Sequence, residues 1–294
     1  MTSSYIGRFA PSPTGDLHFG SLVAALGSYL QARANDGQWL VRIENIDPPR
    51  EVAGAARRQL KTLAEHGLIS DQPVRWQADS RPDHLAALER LIDSGKAFHC
   101  ACTRSDLPAD GIYPGSCRNG LPSGKAPRSV RLRAGEETIS FQDGVQGRCD
   151  QIPARQTGDF VIRRADGLVA YQLAVVVDDA MAGVTEVVRG ADLIESTGRQ
   201  ILVYQALELP LPDYLHLPLI VDADGRKLSK SEGDDPVHRQ PPAANIREAL
   251  EVLGHSPPAG RNTIDELLAW AIQHWKSSNI PRGPITVGHV RGSS

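Results

Sequence analysis

With 294 residues, 40% of them hydrophobic and 23% charged, the chain has the composition of a globular enzyme of about two domains. A net charge of −3 gives no global basic field, so nucleic acid can bind only through a local patch. No apolar run is long enough to span a bilayer, and Met1-Thr2-Ser3-Ser4 lacks a basic-then-apolar leader; no membrane partner is expected, and the cytoplasm is the expected compartment.

In chain order, Tyr5 to Ala10 predicts a short strand entering a Pro/Gly turn at Pro11 to Gly15, and Ser21 to Asn35 an Ala/Leu-rich helix. Trp39 to Ile43 predicts a second strand, broken at Pro48-Pro49. Glu51 to His66 predicts a helix with Val52, Ala56, Leu60 and Leu63 on its apolar face. Strand, turn, helix, strand and helix in that order open a parallel α/β sheet. The segment from Phe98 to Gln156, rich in Gly, Pro, Arg and Cys, reads as an inserted domain without its own apolar core. The β-branched run Leu173 to Asp179 predicts a buried strand, Leu193 to Glu208 a helix, and Leu215 to Val221 another strand. In the tail, Thr263 is the expected N-cap of a helix burying Ile264, Leu267, Leu268 and Ala271.

Two motifs carry chemistry. Pro11-Ser12-Pro13-Thr14-Gly15-Asp16-Leu17-His18-Phe19-Gly20-Ser21 joins strand to helix through a turn where backbone N–H groups and the helix dipole meet phosphates. His18 adds a donor there, and Gly20 removes a side chain that would block adenosine. Downstream, Lys227-Leu228-Ser229-Lys230-Ser231 is a loop whose two lysines can clamp a leaving pyrophosphate. Between them, Cys100, Cys102 and Cys117 are three thiols within 18 residues, a pattern that suits zinc better than a disulfide framework. The fourth ligand is open: His99 would strain a chelate with Cys100, Tyr113 is unusual on general chemistry, and Cys149 lies outside the cluster.

Together the motifs resemble the HIGH and KMSKS signatures of class I aminoacyl-tRNA synthetases. Arg8-Phe9-Ala10-Pro11-Ser12, Val41-Arg42-Ile43-Glu44 and Val188-Arg189-Gly190-Ala191-Asp192-Leu193 resemble the glutamyl branch of that class. The resemblance implies a Rossmann-like parallel sheet split into residues 1–78 and 171–225. Residues 79–170 would then be an inserted zinc-bearing, acceptor-binding-like domain, and 226–294 the lysine loop with a short helical stem-contact remnant. It implies ATP, with magnesium, as the activating substrate, and His18, Lys227 and Lys230 as catalytic groups, with Gly20 beside the nucleotide. It also implies a glutamate site. Arg8 would take the γ-carboxylate, Glu44 with Ser12 the α-ammonium, and Phe9, Ala10, Pro11, Tyr171 and Arg189 further contacts. Asn45 departs from the pattern, which often has Asp there.

Only 63 residues follow Ser231, enough for a stem-contact remnant but not for an anticodon-binding domain. The RNA loop being read and the site being modified are then expected to coincide, since RNA specificity comes from exposed loop bases. In this, in the Cys/Tyr cluster and in Tyr171-Gln172-Leu173-Ala174-Val175-Val176-Val177-Asp178-Asp179, the chain resembles the glutamyl-queuosine tRNA(Asp) synthetases. That group implies Tyr113 as the fourth zinc ligand. Its activity is tRNA-independent glutamate activation followed by transfer to queuosine in the anticodon loop of tRNA(Asp), here by an expected monomer. The alternatives are a truncated synthetase charging a tRNA 3′ end and a non-catalytic RNA-binding paralogue.

Overall fold

The computed structural model describes residues 5–221, 237 and 240–286. Strand β1 (Ile6–Phe9) ends just before Pro11 and Pro13, which carry no backbone N–H for a ladder. Helix α1 (Phe19–Ala34) returns the chain so that β2 (Gln38–Ile43) pairs parallel to β1, with Arg8 opposite Leu40. Leu22, Leu26 and Leu30 of α1 are fully buried, and a Cβ on Gly27 would lie 2.7 Å from Leu217, so glycine lets the helix close onto a strand beneath it.

Helix α2 (Ala55–Glu65) and the short β3 (Arg75–Trp76), parallel to β2, complete this half. The helix begins later than its pattern predicts. Gly54 holds a left-handed φ of 75° before it, and Val52 lies outside it and is exposed rather than on the apolar face.

Helix α3 (Arg81–Asp93) leads to β4 (Ala97–Cys100), which pairs antiparallel with β5 (Ser129–Leu132). β6 (Ile139–Asp143) and β7 (Gly147–Gln151) form a hairpin, α4 (Pro153–Gln156) a single turn, and β8 (Phe160–Arg163) the outer strand beside β5. The chain continues through α5 (Tyr171–Met181), β9 (Glu186–Gly190), α6 (Ile194–Ala206), β10 (Asp213–Leu217) and β11 (Ile220–Val221). It then runs through α7 (Pro242–Val252), α8 (Ile264–His274) and β12 (Ile285–Thr286).

The run Leu173 to Asp179 is not a strand: it is the body of α5, buried throughout from Gln172 to Asp179. Its core neighbours include Leu88 and Leu91 of α3, Val130 and Leu132 of β5, Ile162 of β8 and Val203 of α6. A helix enclosed on every side has no polar stripe, so its valines show no helical period and tertiary packing overrides their β-propensity. The same cluster shows that the insert's apolar residues share one core with α5 and α6. The predicted strand Leu215 to Val221 is likewise two strands in different sheets, interrupted at Pro218.

The second sheet has the order β7-β6-β10-β9, with β10 parallel to both β6 and β9. It abuts the first where Thr185 donates from its backbone N–H to Ile6 O (2.9 Å) and Ile6 N–H donates to Thr185 Oγ1 (3.0 Å). From β1 the chain proceeds to β2 on one side and, after the insert, to β9 on the other. Such a reversal of strand order opens a crevice at the carboxyl ends of the strands.

Helices α7 and α8 share a core with α1 through Ile246, Ala249, Leu250, Leu267 and Leu268. Thr263 caps α8 in a reciprocal box with Glu266. β12 pairs parallel with β11. Among the described residues no helix is long and apolar enough to cross a membrane.

Candidate active site

The crevice holds a cleft of about 580 Å³. Arg8 and Phe9 reach it from the end of β1, Ala10, Pro11 and Ser12 from the turn, and His18 and Gly20 from the start of α1. Glu44 enters from just past β2, Tyr171 from the first turn of α5, and Arg189 from β9. The structure thus brings together every described residue in the nucleotide and glutamate sets. Lys227 and Lys230 lie outside the described residues.

Local bonds fix these positions. Glu44 N–H donates to Pro11 O (3.0 Å), and Gln59 Nε2 donates to the carbonyls of Ser12 (3.0 Å) and Gly15 (2.7 Å). His18 is the N-cap of α1, its Nδ1 accepting Ser21 N–H at 3.3 Å. An Nδ1 acceptor leaves the ring proton on Nε2. A Cβ on Gly20 would lie 3.2 Å from the His18 ring, so Gly20 leaves room for it. No acidic side chain occupies the first turn of α1, so its positive end is not neutralised from within the helix.

Beneath the cleft lies a buried charge network. Asp179 accepts Arg8 Nε on both oxygens (3.1 and 3.2 Å) and Arg42 Nη1 at 2.6 Å. Arg42 Nη2 donates to Glu44 Oε1 at 3.2 Å. Asp178 lies 3.7 Å from Arg42 Nε and is held by His84 Nε2 (2.8 Å) and Gln77 Nε2 (2.7 Å). Burial alone would raise the Asp179 pKa, but Arg42 and Arg8 outweigh it and hold the carboxyl below its ordinary range. Burial raises Glu44 above the usual glutamate value, and Arg42 and Arg8 offset this only in part. Two carboxylates in the last turn of a helix oppose its dipole, so their partners must compensate.

From β9, Arg189 donates from Nη1 to Gln200 Oε1 (2.8 Å), from Nη2 to Thr197 Oγ1 (2.9 Å) and from Nε to His216 Nε2 (3.1 Å). His216 Nδ1 lies 2.6 Å from Asp143 Oδ2, at the end of β6. Burial pushes the His216 pKa down although Asp143 opposes it. The ring is therefore neutral, donating Nδ1–H to Asp143 and accepting from Arg189 on Nε2.

The three cysteines Cys100, Cys102 and Cys117 place their sulfurs within 4.8 Å of one another. Cys102 and Cys117 are 3.7 Å apart, and Tyr113 Oη lies 3.6 Å from Cys100 Sγ. Tetrahedral zinc with metal–sulfur bonds of about 2.3 Å spaces its sulfurs about 3.7 Å apart, so this donor set can hold a metal. His99 alternates with the buried Cys100 and is exposed. Cys149 is not in the cluster. Burial opposes ionisation of Cys100, but Tyr113, the Cys102 backbone and Arg131 outweigh it and lower the thiol to about 7. Arg131 also stacks over the Tyr113 ring at 3.9 Å.

The sequence motifs contain Arg42 and Asp178-Asp179 but give them no role, and His84, Asp143 and His216 carry no local signal. Arg42 is a charge inside an apolar strand, and Asp178-Asp179 end an apolar run. Asn45 does not line the cleft: its Oδ1 accepts Ala78 N–H at 3.0 Å, a turn contact that a carboxylate oxygen could also make.

The description "tRNA synthetases class I (E and Q), catalytic domain" fits residues 6–110 and 117–266. The Glutamyl-Q tRNA(Asp) synthetase of Chromobacterium violaceum is 51% identical over 288 residues, spanning 96% of this chain and 97% of that protein. Its counterpart from Xanthomonas campestris pv. campestris is 54% identical over 281 residues, spanning 95% and 94%. A glutamate tRNA ligase from Elizabethkingia meningosepticum, crystallised in complex with its amino acid, superposes with a TM-score of 0.81 at 25% identity. That match covers 97% of this chain and 67% of the ligase.

Proposed function

The chain belongs to the class I tRNA synthetases of the E and Q type, and on that premise we propose that it activates glutamate with ATP and transfers it to queuosine in tRNA(Asp). The observation that carries the glutamate reading is the single cleft shared by Arg8, Glu44 and His18. A guanidinium suited to a carboxylate and a carboxylate suited to an ammonium stand beside the positive end of α1. The queuosine step follows the name of relatives about half identical over nearly the whole chain.

In this reading Arg8 binds the γ-carboxylate and Glu44, with Ser12, the α-ammonium, while Phe9, Ala10, Pro11, Tyr171 and Arg189 complete the glutamate pocket. The α-carboxylate attacks the α-phosphate of ATP, forming a C–O–P anhydride as pyrophosphate leaves. His18 donates from Nε2 to the phosphates, Gly20 lies against the nucleotide, and Lys227 and Lys230 neutralise the leaving group; magnesium accompanies ATP. A hydroxyl of the queuosine diol then attacks the anhydride, loses its proton and releases AMP. Positioning and charge stabilisation carry both steps, with no protein nucleophile.

A second groove, of about 950 Å³, runs from the cysteine cluster to Arg50 at the cleft mouth. Arg50, Arg104, Arg128, Arg131 and Arg164 line it against Asp47 and Asp166, a local excess of positive charge in a chain whose net charge is −3. This supports an RNA partner held by its phosphates. Cys100, Cys102, Cys117 and Tyr113 are proposed to hold one Zn²⁺ that staples the insert. Metal analysis of freshly purified, reduced protein should find one zinc per chain, and finding none removes this assignment. The proposed working form is a monomer in the cytoplasm.

The deciding experiment maps labelled glutamate on purified tRNA with and without queuosine. Label confined to queuosine-bearing tRNA(Asp), with ATP–pyrophosphate exchange that needs glutamate but no tRNA, is the expected result. Label that maps to the 3′-terminal nucleotide after nuclease digestion supports the truncated charging enzyme instead. A flat exchange assay would leave a non-catalytic RNA binder.

A further inference from the structure

Two buried groups beneath the cleft have no part in the proposed reaction, yet they join its two ends. Asp179, 3% exposed, takes Arg8 through Nε alone and takes Arg42 through Nη1. Arg42, 4% exposed, gives Nη2 to Glu44. One carboxylate and one guanidinium therefore connect the group proposed to read the γ-carboxylate with the group proposed to read the α-ammonium.

We propose that Asp179, aligned by Arg42, is a positioning residue that sets selectivity for glutamate over glutamine by holding the Arg8 guanidinium end-on to the cleft. The inference rests on the glutamate reading of that cleft. A guanidinium carries one N–H on Nε and two on each terminal nitrogen. With Nε bound from behind by both oxygens of Asp179 and one Nη1 N–H given to Val188 O at 3.5 Å, rotation of the fork is blocked, and the second Nη1 N–H and Nη2 remain to face a ligand. Two parallel donors suit a carboxylate, which accepts on both oxygens. An amide offers one acceptor and turns its own N–H₂ against the second donor, leaving a buried clash of donors. If the fork were free to swing, it could meet the amide oxygen with a single N–H, and the distinction would fade.

Asp179 also sits at the unfavourable end of α5 for a negative charge, directly after Asp178. Packing alone gives no reason for a carboxylate there. His84 and Gln77 hold Asp178, whereas Asp179 is held by Arg8 and Arg42, the arm that leads to the cleft. A merely structural role for Asp179, neutralising Arg42, would change stability but not the choice between two amino acids of the same shape.

The test is Asp179→Asn in ATP–pyrophosphate exchange with labelled pyrophosphate, using glutamate and glutamine in turn. The glutamate KM should rise about tenfold or more while the ATP KM stays within about twofold, and the kcat/KM ratio of glutamate to glutamine should fall about tenfold or more. A folded variant with unchanged selectivity overturns the proposal, as does a loss confined to kcat. If the single variant fails to fold, Asp179→Asn with Arg42→Gln removes both charges, and the same ratio is read there; selectivity equal to that of the unsubstituted protein again overturns it. The hold itself is read without activity by NMR. The Arg8 Nε–H should exchange slowly with solvent in the unsubstituted protein and fast in the variant, and fast exchange in both overturns it. Failure of the underlying reading looks different: the unsubstituted protein would then show no glutamate-dependent exchange at all.

Discussion

Arg8 and Arg189 line one cleft, but the structure treats their charges in opposite ways. Arg8 is bonded to a carboxylate, Asp179, within a network that also holds Arg42, Glu44 and Asp178. Arg189 is bonded to an amide, a hydroxyl and a neutral imidazole, and a relay through His216 links it to Asp143. Both are rigid. The first is rigid and partly neutralised, which suits recognition of one carboxylate by geometry. The second is rigid while keeping its positive field, which suits any negative charge that enters the cleft, including one that develops during reaction.

The largest effect is therefore expected at Arg8. Replacing Arg8 with Ala removes the proposed fork and leaves Asp179 with Arg42 as its one remaining partner among those described. Breaking such a pair costs about 3 kcal/mol, so kcat/KM for glutamate in exchange should fall roughly 10²-fold or more, chiefly through KM. A fall below about threefold would mean that the charged network serves the fold rather than the substrate.

Arg189→Lys should cost less, about tenfold in kcat/KM, because the charge survives while the planar fork is lost. Its loss should appear in kcat as well as KM, since a displaced charge serves the developing negative charge less well. An Arg189→Lys defect larger than that of Arg8→Ala, or one confined to the glutamate KM, would erase the distinction drawn between the two sides.

Why one side was more legible than the other follows from how each is built. Arg8, Ser12, His18 and Glu44 sit at strand ends and helix starts, where turn residues and short motifs mark the position of a site along the chain. Asp179, His216 and Asp143 act through partners 171, 27 and 73 residues away, and no local pattern encodes such distances. Helix α5 departs from its sequence pattern for the same reason. Its enclosure by α3, α6, β5 and β8 hides the polar stripe that marks a helix, and Asp178-Asp179 then looked like the end of a strand. The strand-turn-helix-strand opening and the capping of α8 were legible because each is marked by residues close together in the sequence. The insertion of β6 beside β10 was not.

The smallest expected effects come from acid, and they separate the two sides by the kind of measurement that moves. Glu44 has its pKa raised above the ordinary 4.5, so it takes up a proton before a solvent-exposed glutamate would. A protonated Glu44 cannot pair with an α-ammonium, and the glutamate KM should climb a few-fold as pH falls, beginning above 4.5. His216 moves the other way, its pKa pushed below the ordinary 6.5. In the unfolded chain it protonates near that value, while in the folded protein it resists. The unfolded state thus binds the extra proton, and stability is lost as pH falls from about 6.5 toward the lowered folded value. Thermal unfolding should show this loss, and His216→Asn should flatten it without altering the onset of the KM rise. If that substitution instead shifts the onset of the KM rise, the two sides titrate as one unit. The neutral setting of Arg189 would then be no more independent of acid than the charged setting of Arg8.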